Sequence, residues 1–352
     1  MATLPTIPGA VTLTDLAKSL DPDGSVATVI ELLSQRNEIL QDMTWMEGNL
    51  NTGHRTTVRT GLPTPTWRKL YGGIQPSKSN KVQVDDACGM LESRTEIDCD
   101  LANMSQNVSS FRLSEAAAES EGMSQTVGQA LFYGDTSVNP ERFTGLSPRY
   151  SSLSAAVPSS ANIIDGGGSG ADNMSVWLVL WGEQTVTGIY PKGTASGLLH
   201  QDLGEIDAFD QTQTPPGRYR AYADLWKWKC GLTVRDWRYA VRIANIDVSD
   251  LQSQTGTQAP TAATQMMKLM ARATTKIPAM GMGKAAFYCN RTAKGYLAVS
   301  ALDKSNTALA IQPALQQFGD MTPGWTGNGT MTFLGVPVRT CDQLLLNETR
   351  VV

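Results

Sequence analysis

The stretch from Ser109 to Leu146, SSFRLSEAAAESEGMSQTVGQALFYGDTSVNPERFTGL, constrains this chain most. Leu113, Ala116, Ala117, Met123, Val127, Ala130 and Leu131 recur at three- and four-residue intervals, the period of one helix face. Glu115, Glu119, Glu121 and Gln125 fall on the other face. Ser109 or Ser110 caps the start, because a side-chain oxygen there accepts from a free backbone N–H. Gly134 stands where a left-handed residue ends a helix. Asn139-Pro140 and Gly145-Leu146 then punctuate a loop. A helix of roughly 23 residues is about 35 Å long, twice the usual length. Such a girder belongs to something extended.

The regions before it differ in kind. Residues 1–11 are rich in Pro, Thr and Ala and read as extended. Thr14 caps a short helix with Leu16, Ala17 and Leu20 on one side. Asp21-Pro22-Asp23-Gly24 is a turn, and Val26, Val29, Ile30, Leu33 and Leu40 mark a second helix. This arm has a thin apolar face that needs another surface to lie on. Over residues 44–100, Pro63, Pro65, Gly72, Gly73 and Pro76 break any helix. Alternating runs at Arg55–Arg59, Lys81–Asp85 and Thr95–Asp100 predict a long two-stranded excursion with a wide tip. Irregular excursions of this length serve a function. An isolated hairpin is marginal in water, so this one needs a partner surface.

After the girder, residues 151–172 read as a Ser-, Ala- and Gly-rich loop. Val176–Trp181 is a continuous apolar run, hence a buried strand. Gly182-Glu183 predicts a hairpin turn returning along Thr185–Tyr190. Residues 191–217 are turn-rich. Long strands follow at Tyr219–Trp228 and Trp237–Ile243, the second with Arg238 and Arg242 on the face opposite Tyr239, Val241 and Ile243. Pro260 or Thr261 opens a helix with Met266, Met267, Leu269, Met270 and Ala273 inward. Ala285–Cys289 is a strand, Thr292–Leu302 a helix, and Met331–Arg339 a strand pair bent at Gly335 and Pro337. The class is α+β, in roughly two to three domains.

Composition excludes several functions. Asp and Glu number 33 against 29 Lys and Arg, a net charge of −4 that argues against a surface built to bind nucleic acid. The start lacks a signal peptide's pattern, and no run approaches the roughly 18 apolar residues of a membrane span, so a soluble chain made in the cytosol is expected. Cys88, Cys99, Cys230, Cys289 and Cys341 are scattered, with no Cys-x-x-Cys, and read as buried free thiols.

Catalytic and metal patterns fall short one by one. His54 and His200 are the only histidines, too few for a His-based metal site or a well-supported Ser-His-Asp triad. Gly167-Gly168-Ser169-Gly170-Ala171 is close to a nucleophile elbow, but Ala171 replaces the final Gly and no strand leads into it. Asp135-Thr136-Ser137-Val138-Asn139 begins like a calcium loop, yet Pro140 replaces the required Gly; a polar turn capped by Asp135 is the better reading. Glu96, Asp98 and Asp100 share a strand face that suits a cation less well than it suits solvent. Trp226-Lys227-Trp228-Lys229 interleaves aromatic and basic residues as single-strand binders do, but a strand points them to opposite faces. The methionines at 266, 267, 270, 280 and 282 read as core filling. No catalytic residue, cofactor or metal is expected, and no enzyme. Girder, excursion and arm are features of a subunit that tiles with copies of itself.

Several of these stretches resemble the major capsid proteins of tailed bacteriophages with the Hong Kong 97-type fold, those of short-tailed phages above all. Ala130-Leu131-Phe132-Tyr133-Gly134-Asp135, Asn139-Pro140 and Phe143-Thr144-Gly145-Leu146 are similar to the end of that family's spine helix and its following loop. Phe333–Val338 resembles its final strand, Asp21–Leu40 its N-terminal arm, and Leu62-Pro63-Thr64 with Trp67-Arg68 its extended loop. The resemblance implies an arm at 1–45, an extended β-hairpin loop at 46–100, and a peripheral domain at 101–250 and 335–352 holding the spine helix at about 109–133. An axial domain would occupy 251–334. It marks Pro63, Trp67, Gly134, Asp135, Pro140, Gly145, Leu146, Gly335 and Pro337 for structure and assembly. It implies a virion shell of hexamers and pentamers, assembled in the host cytoplasm around double-stranded DNA held by weak or indirect contacts. A separate scaffolding protein, a portal and a cement protein would be partners, and no membrane. Some relatives cross-link through Lys and Asn; Lys69, Lys78 and Lys81 lie in the loop, but no cross-link is expected. A nanocompartment shell of encapsulin type is the alternative, and a hydrolase using Ser169 a more distant one.

Overall fold

The computed structural model describes residues 11–13, 15, 16, 35–105, 107–210, 216–252, 259–301, 309–312 and 330–352. The turn expected at 21–24 and most of the second arm helix lie outside them, as do Thr14, Ala17, Leu20 and Leu302. In chain order the first elements are α1 (Ile39–Asp42), β1 (Trp45–Glu47), β2 (Gly53–Gly61), β3 (Asn80–Asp98), α2 (Cys99–Met104) and the long helix α3 (Val108–Tyr133). Next come α4 (Leu146–Arg149), β4 (Ile163–Asp165), β5 (Asn173–Trp181), β6 (Val186–Tyr190), β7 (Leu198–Asp210), β8 (Gly217–Val234) and β9 (Ala240–Asp247). The rest are α5 (Val248–Gln252), α6 (Ala259–Lys276), β10 (Lys284–Cys289), α7 (Arg291–Ala301), β11 (Leu309–Gln312), β12 (Thr330–Phe333) and β13 (Val336–Thr340). Packing divides the chain into two units. One takes residues 1–35, 90–127 and 195–229, the other 36–89, 128–194 and 230–352.

The second unit is organised on β5. All nine of its residues are buried, as an apolar run without alternation requires. It runs antiparallel to β9 on one side and β10 on the other, and β10 pairs in parallel with β13. Met174, Val176, Leu178 and Leu180 of β5 join Val241 and Ile243 of β9 in one core. The helical stripe of α6, Met266, Met267, Leu269, Met270 and Ala273, closes that core as its spacing predicts. Trp177, of opposite parity, meets Phe132 at 6.2 Å and Tyr150 edge-on at 5.8 Å between ring centroids.

The expected β5–β6 hairpin does not form. The strands share a single bridge, Trp181 with Val186, and it is parallel. Instead β6 pairs antiparallel with β8 and in parallel with β1. The reason is local: Thr185 Oγ1 donates to the Leu180 carbonyl at 2.7 Å and Thr187 Oγ1 to that of Gly182 at 2.5 Å. These bonds turn the chain aside instead of back.

The excursion is as expected in outline. β2 and the start of β3 pair antiparallel from Gly53 with Ala87 to Arg59 with Lys81, and residues 62–79 form a tip without regular structure. The three alternating runs are two strands, because β3 continues unbroken to Asp98.

In the first unit, β7 pairs antiparallel with β8 from Leu198 with Trp228 to Asp210 with Gly217. β7 replaces much of the expected turn-rich stretch. A register shift between Asp202 and Gly204 breaks its alternation, and Gly204 takes φ +69° there. Leu16, Ile97, Ala102 and Phe111 form the small core. At the first short helix the Thr12 hydroxyl accepts from Asp15 N–H, and the Asp15 carboxylate accepts from Thr12 N–H.

Helix α3 is capped by Asn107, whose Oδ1 accepts from Ser110 N–H at 3.1 Å, not by Ser109 or Ser110. Its apolar stripe holds at Met123, Val127, Ala130 and Leu131. It fails at Leu113, which is 72% exposed, and at Ala117, also exposed, while Phe111 is fully buried. The acids are not idle solvent groups. Glu119 accepts from Ser93 Oγ at 2.7 Å and Glu121 from the backbone N–H of Gln35 at 2.8 Å.

Candidate assembly surfaces and their anchors

The turn after α3 brings Gly134, Gly145 and Leu146 together. Gly145 N–H donates to the Gly134 carbonyl at 2.8 Å, and Leu146 is fully buried. Gly134 is not left-handed; positive φ among the described glycines occurs elsewhere. Gly134 is required by close approach instead. A Cβ there would lie 2.4 Å from the Phe143 carbonyl oxygen and 2.6 Å from that of Ala130. Gly145 is equally tight, 2.5 Å from the Ala130 oxygen. Asp135 Oδ1 accepts from Ser137 N–H at 2.8 Å, the capped polar turn that was expected, and Pro140 is exposed.

Gly335 and Pro337 occupy a second place. Leu334 and Gly335 take φ +48° and +81° between β12 and β13, a two-residue hairpin turn with both central residues left-handed. Pro337 stands on β13 opposite Thr332.

Pro63 and Trp67 lie in a third place, the excursion tip. Here large apolar side chains stand in the open: Leu62 at 78%, Trp67 at 105%, Leu70 at 90% and Tyr71 at 101% exposure. Ile74 is exposed beside them. Residues 56–84 also hold five cations, Arg59, Arg68, Lys69, Lys78 and Lys81, and no Asp or Glu. Residues 90–127 and 195–229, most of the first unit, hold twelve Asp and Glu against six Lys and Arg. One chain therefore carries an apolar, basic tip and an acidic unit.

The tip hangs from a buried root that sequence reasoning missed. Asp86 on β3 accepts from Arg149 Nη2 of α4 at 2.7 Å and from Thr233 Oγ1 of β8 at 2.6 Å. Arg149 also donates to the carbonyls of Thr144 and Leu232. Across the ladder from Asp86 stands buried His54. A second cluster was missed altogether. Arg242 is not on a solvent face: its side chain is 4% exposed and pairs with Glu348, 5% exposed, at 2.8 Å. Both faces of β9 are buried, so the arginine turns inward to a carboxylate. Glu348 also accepts from Tyr133 Oη and Ser175 Oγ, and Arg242 donates to the Tyr150 carbonyl and lies over the Trp177 ring. Burial, then the Glu348 charge, pushes the Tyr133 hydroxyl pKa well up. The sequence signal was an arginine inside the otherwise apolar run Ala240–Ala244.

The chemical candidates stay apart. Ser169 lines a cavity of about 210 Å³ with Asp247, Asp250 and Gln265, and neither histidine lines it. His200 instead stacks on Trp226 at 4.2 Å and meets Asp224 at 2.9 Å. Asp98 caps α2 by accepting from Asp100 N–H, and Glu96 pairs with Arg94, so the acidic strand face is dispersed. Among the described residues no three His, Cys, Asp or Glu side chains converge as metal ligands, and no helix is long and apolar enough to cross a membrane.

A buried sheet, a long helix with a locked turn and an apolar hairpin tip left exposed fit a subunit that tiles with copies of itself, and the comparisons give that class: a capsid shell protein. The chain belongs to the family described as major capsid protein GP7, which matches residues 21–352. A solved structure of bacteriophage Epsilon15 is similar along the whole length, at 30% identity and a TM-score of 0.75, covering 100% of this chain and 99% of that one. The bacteriophage JBD30 capsid covers 90% of this chain and 93% of that one at 10% identity, TM-score 0.47. An encapsulin complex from Synechococcus elongatus PCC 7942 covers 66% and 94% at 10% identity, TM-score 0.41. No curated protein sequence matches it. The expected class, family and role hold: an α+β protein of the Hong Kong 97-type fold, a structural subunit of a phage head shell in the virion.

Proposed function

We propose that copies of this chain close as hexamers and pentamers into an icosahedral head around packaged double-stranded DNA, and that the excursion of each copy docks on the acidic unit of a neighbour. The exposed tip carries this reading. Aromatic side chains bury roughly 150–250 Å² each when covered, and at about 25 cal/mol per Å² even one is a substantial contact. Five cations beside them favour an acidic partner surface. Many modest contacts of this kind hold a closed shell while each stays reversible during assembly.

The same reading divides the chain into an arm at 1–45, an extended loop at 46–100, a peripheral domain at 101–250 and 335–352, and an axial domain at 251–334. Pro63 and Trp67 then shape the docking tip. Gly134, Asp135, Pro140, Gly145 and Leu146 hold the turn beyond the spine helix, and Gly335 and Pro337 the final hairpin. A scaffolding protein, a portal and a cement protein complete the particle in the host cytoplasm, and contact with DNA is weak or indirect.

The test is sedimentation and electron microscopy of the protein alone and coexpressed with its neighbouring viral genes. Closed particles or rings of five and six are expected, with DNA inside particles from infected cells. Raising salt from about 0.1 M to about 1 M shortens screening from ~10 to ~3 Å and should slow assembly. Particles that enclose a protein cargo and no DNA would indicate a nanocompartment. A monomer under every condition, scaffold included, would reject both.

A further inference from the structure

His54 is buried at the root of the excursion, and both of its ring nitrogens face hydrogen-bond donors. The Asn49 backbone N–H points at Nδ1 from 3.3 Å, and Arg235 Nη2 stands 2.9 Å from Nε2. An amide N–H and a guanidinium offer donors only. A neutral imidazole has one ring lone pair for these two donors; an imidazolium has none. Arg235 is not free to turn away. Its Nη1 donates to the Glu183 carbonyl at 2.7 Å, its Nη2 also reaches Met46 Sδ at 3.4 Å, and its backbone N–H donates to Thr185.

The charges around the ring favour the neutral form. Arg235 faces it from the segment after β8, and Asp86 from β3. Both Asp86 oxygens are already engaged, Oδ1 by Arg149 and Oδ2 by Thr233. The neighbouring Arg55 and Asp85 pair with each other at 2.6 Å, on the other face of the hairpin. Burial, then Arg235, holds the His54 pKa below its ordinary value, with Asp86 opposing.

We propose that His54 is a proton-sensitive pin: neutral, it holds the root of β2 against Arg235 and the 46–49 segment, and protonated, it releases the excursion from that root. The sign follows from linkage. A histidine whose pKa is lowered in the closed root stabilises closure fully above its ordinary value of about 6.5. That stabilisation is lost as the pH falls through 6.5 toward the lowered value, because opening then takes up a proton. The proposal rests on the root alone and holds whatever surface the tip meets.

The test is amide hydrogen exchange of the full chain, corrected for intrinsic rates, read at residues 49–61 between about pH 7.5 and about pH 5. Protection at the root should fall roughly threefold or more on acidification. His54→Gln, whose amide oxygen accepts from Arg235 without titrating, should lose that response, and His200→Gln should keep it. Arg235→Gln should move the midpoint to higher pH, and it serves if His54→Gln does not fold. An acid response unchanged in His54→Gln, a midpoint unchanged in Arg235→Gln, or no response in the natural sequence would overturn the proposal.

Discussion

Strand β5 and the excursion tip are both rich in large apolar side chains, and the chain treats them oppositely. Every residue of β5 is buried, between β9 and β10 and beneath α6. At the tip, Trp67 and Tyr71 are as exposed as in an extended peptide. Fully burying such a side chain contributes roughly 1.5–3 kcal/mol. In β5 that stabilisation is realised within the chain; at the tip the same side chains are left uncovered. On the proposed reading the buried sheet serves the subunit and the exposed tip serves the contact between subunits.

Substitutions can break this contrast. The largest effect on folding should come from Glu348→Ala, which leaves Arg242 buried without its carboxylate. A loss of about 3–5 kcal/mol is expected in urea unfolding of the subunit, and a midpoint near that of the natural sequence would mean that Arg242 finds another acceptor. Gly134→Val should cost about 1–3 kcal/mol and hinder assembly. Gly134→Ala should cost nearly as much, because the first added carbon already meets the Phe143 oxygen. Were φ the cause, Val would be far worse than Ala. Trp67→Ala should change subunit stability by no more than about 0.5 kcal/mol yet reduce the fraction sedimenting as shells. A variant that loses stability and keeps assembly would reverse the comparison between body and limb. The smallest effect is chemical. Burial pushes the Cys289 and Cys341 thiols up to about 12, and that of Cys88, at the root, up to about 11. Iodoacetamide near pH 8 should leave these three unmodified in the native protein and label them in urea.

Much of the body was legible in the sequence, because period and burial coincide there. β5, the α6 stripe and the β12–β13 turn follow from apolar runs, helical spacing and Gly335. The failures have physical causes. β7 hid behind its register shift at Gly204, which inverts the alternation partway along. The β5–β6 hairpin was read from Gly182, but Thr185 and Thr187 spend their hydroxyls turning the chain aside. Arg242 could be placed on one face of its strand but not paired, because its partner, Glu348, lies 106 residues away in sequence. Leu113 fits the helical period and is nonetheless exposed, since period fixes a face and not what covers it. The excursion was legible as two strands with a wide, irregular tip. Its anchors, Asp86, Arg149 and Thr233, come from three separate segments and were not.

The Arg242–Glu348 cluster also sets a clock. Arg242 and Glu348 are 106 residues apart. At roughly 5–20 residues per second, a ribosome needs about five to twenty seconds to travel from one to the other. During that interval the inward arginine of β9 has no carboxylate, and β10 has no β13 beside it. The body closes only when the late segment emerges, while the excursion hairpin, encoded early, is already made. The anchors of the limb, Arg149, Thr233 and Arg235, are all made before residue 348, so the carboxylate that closes the body is among the last groups the chain receives.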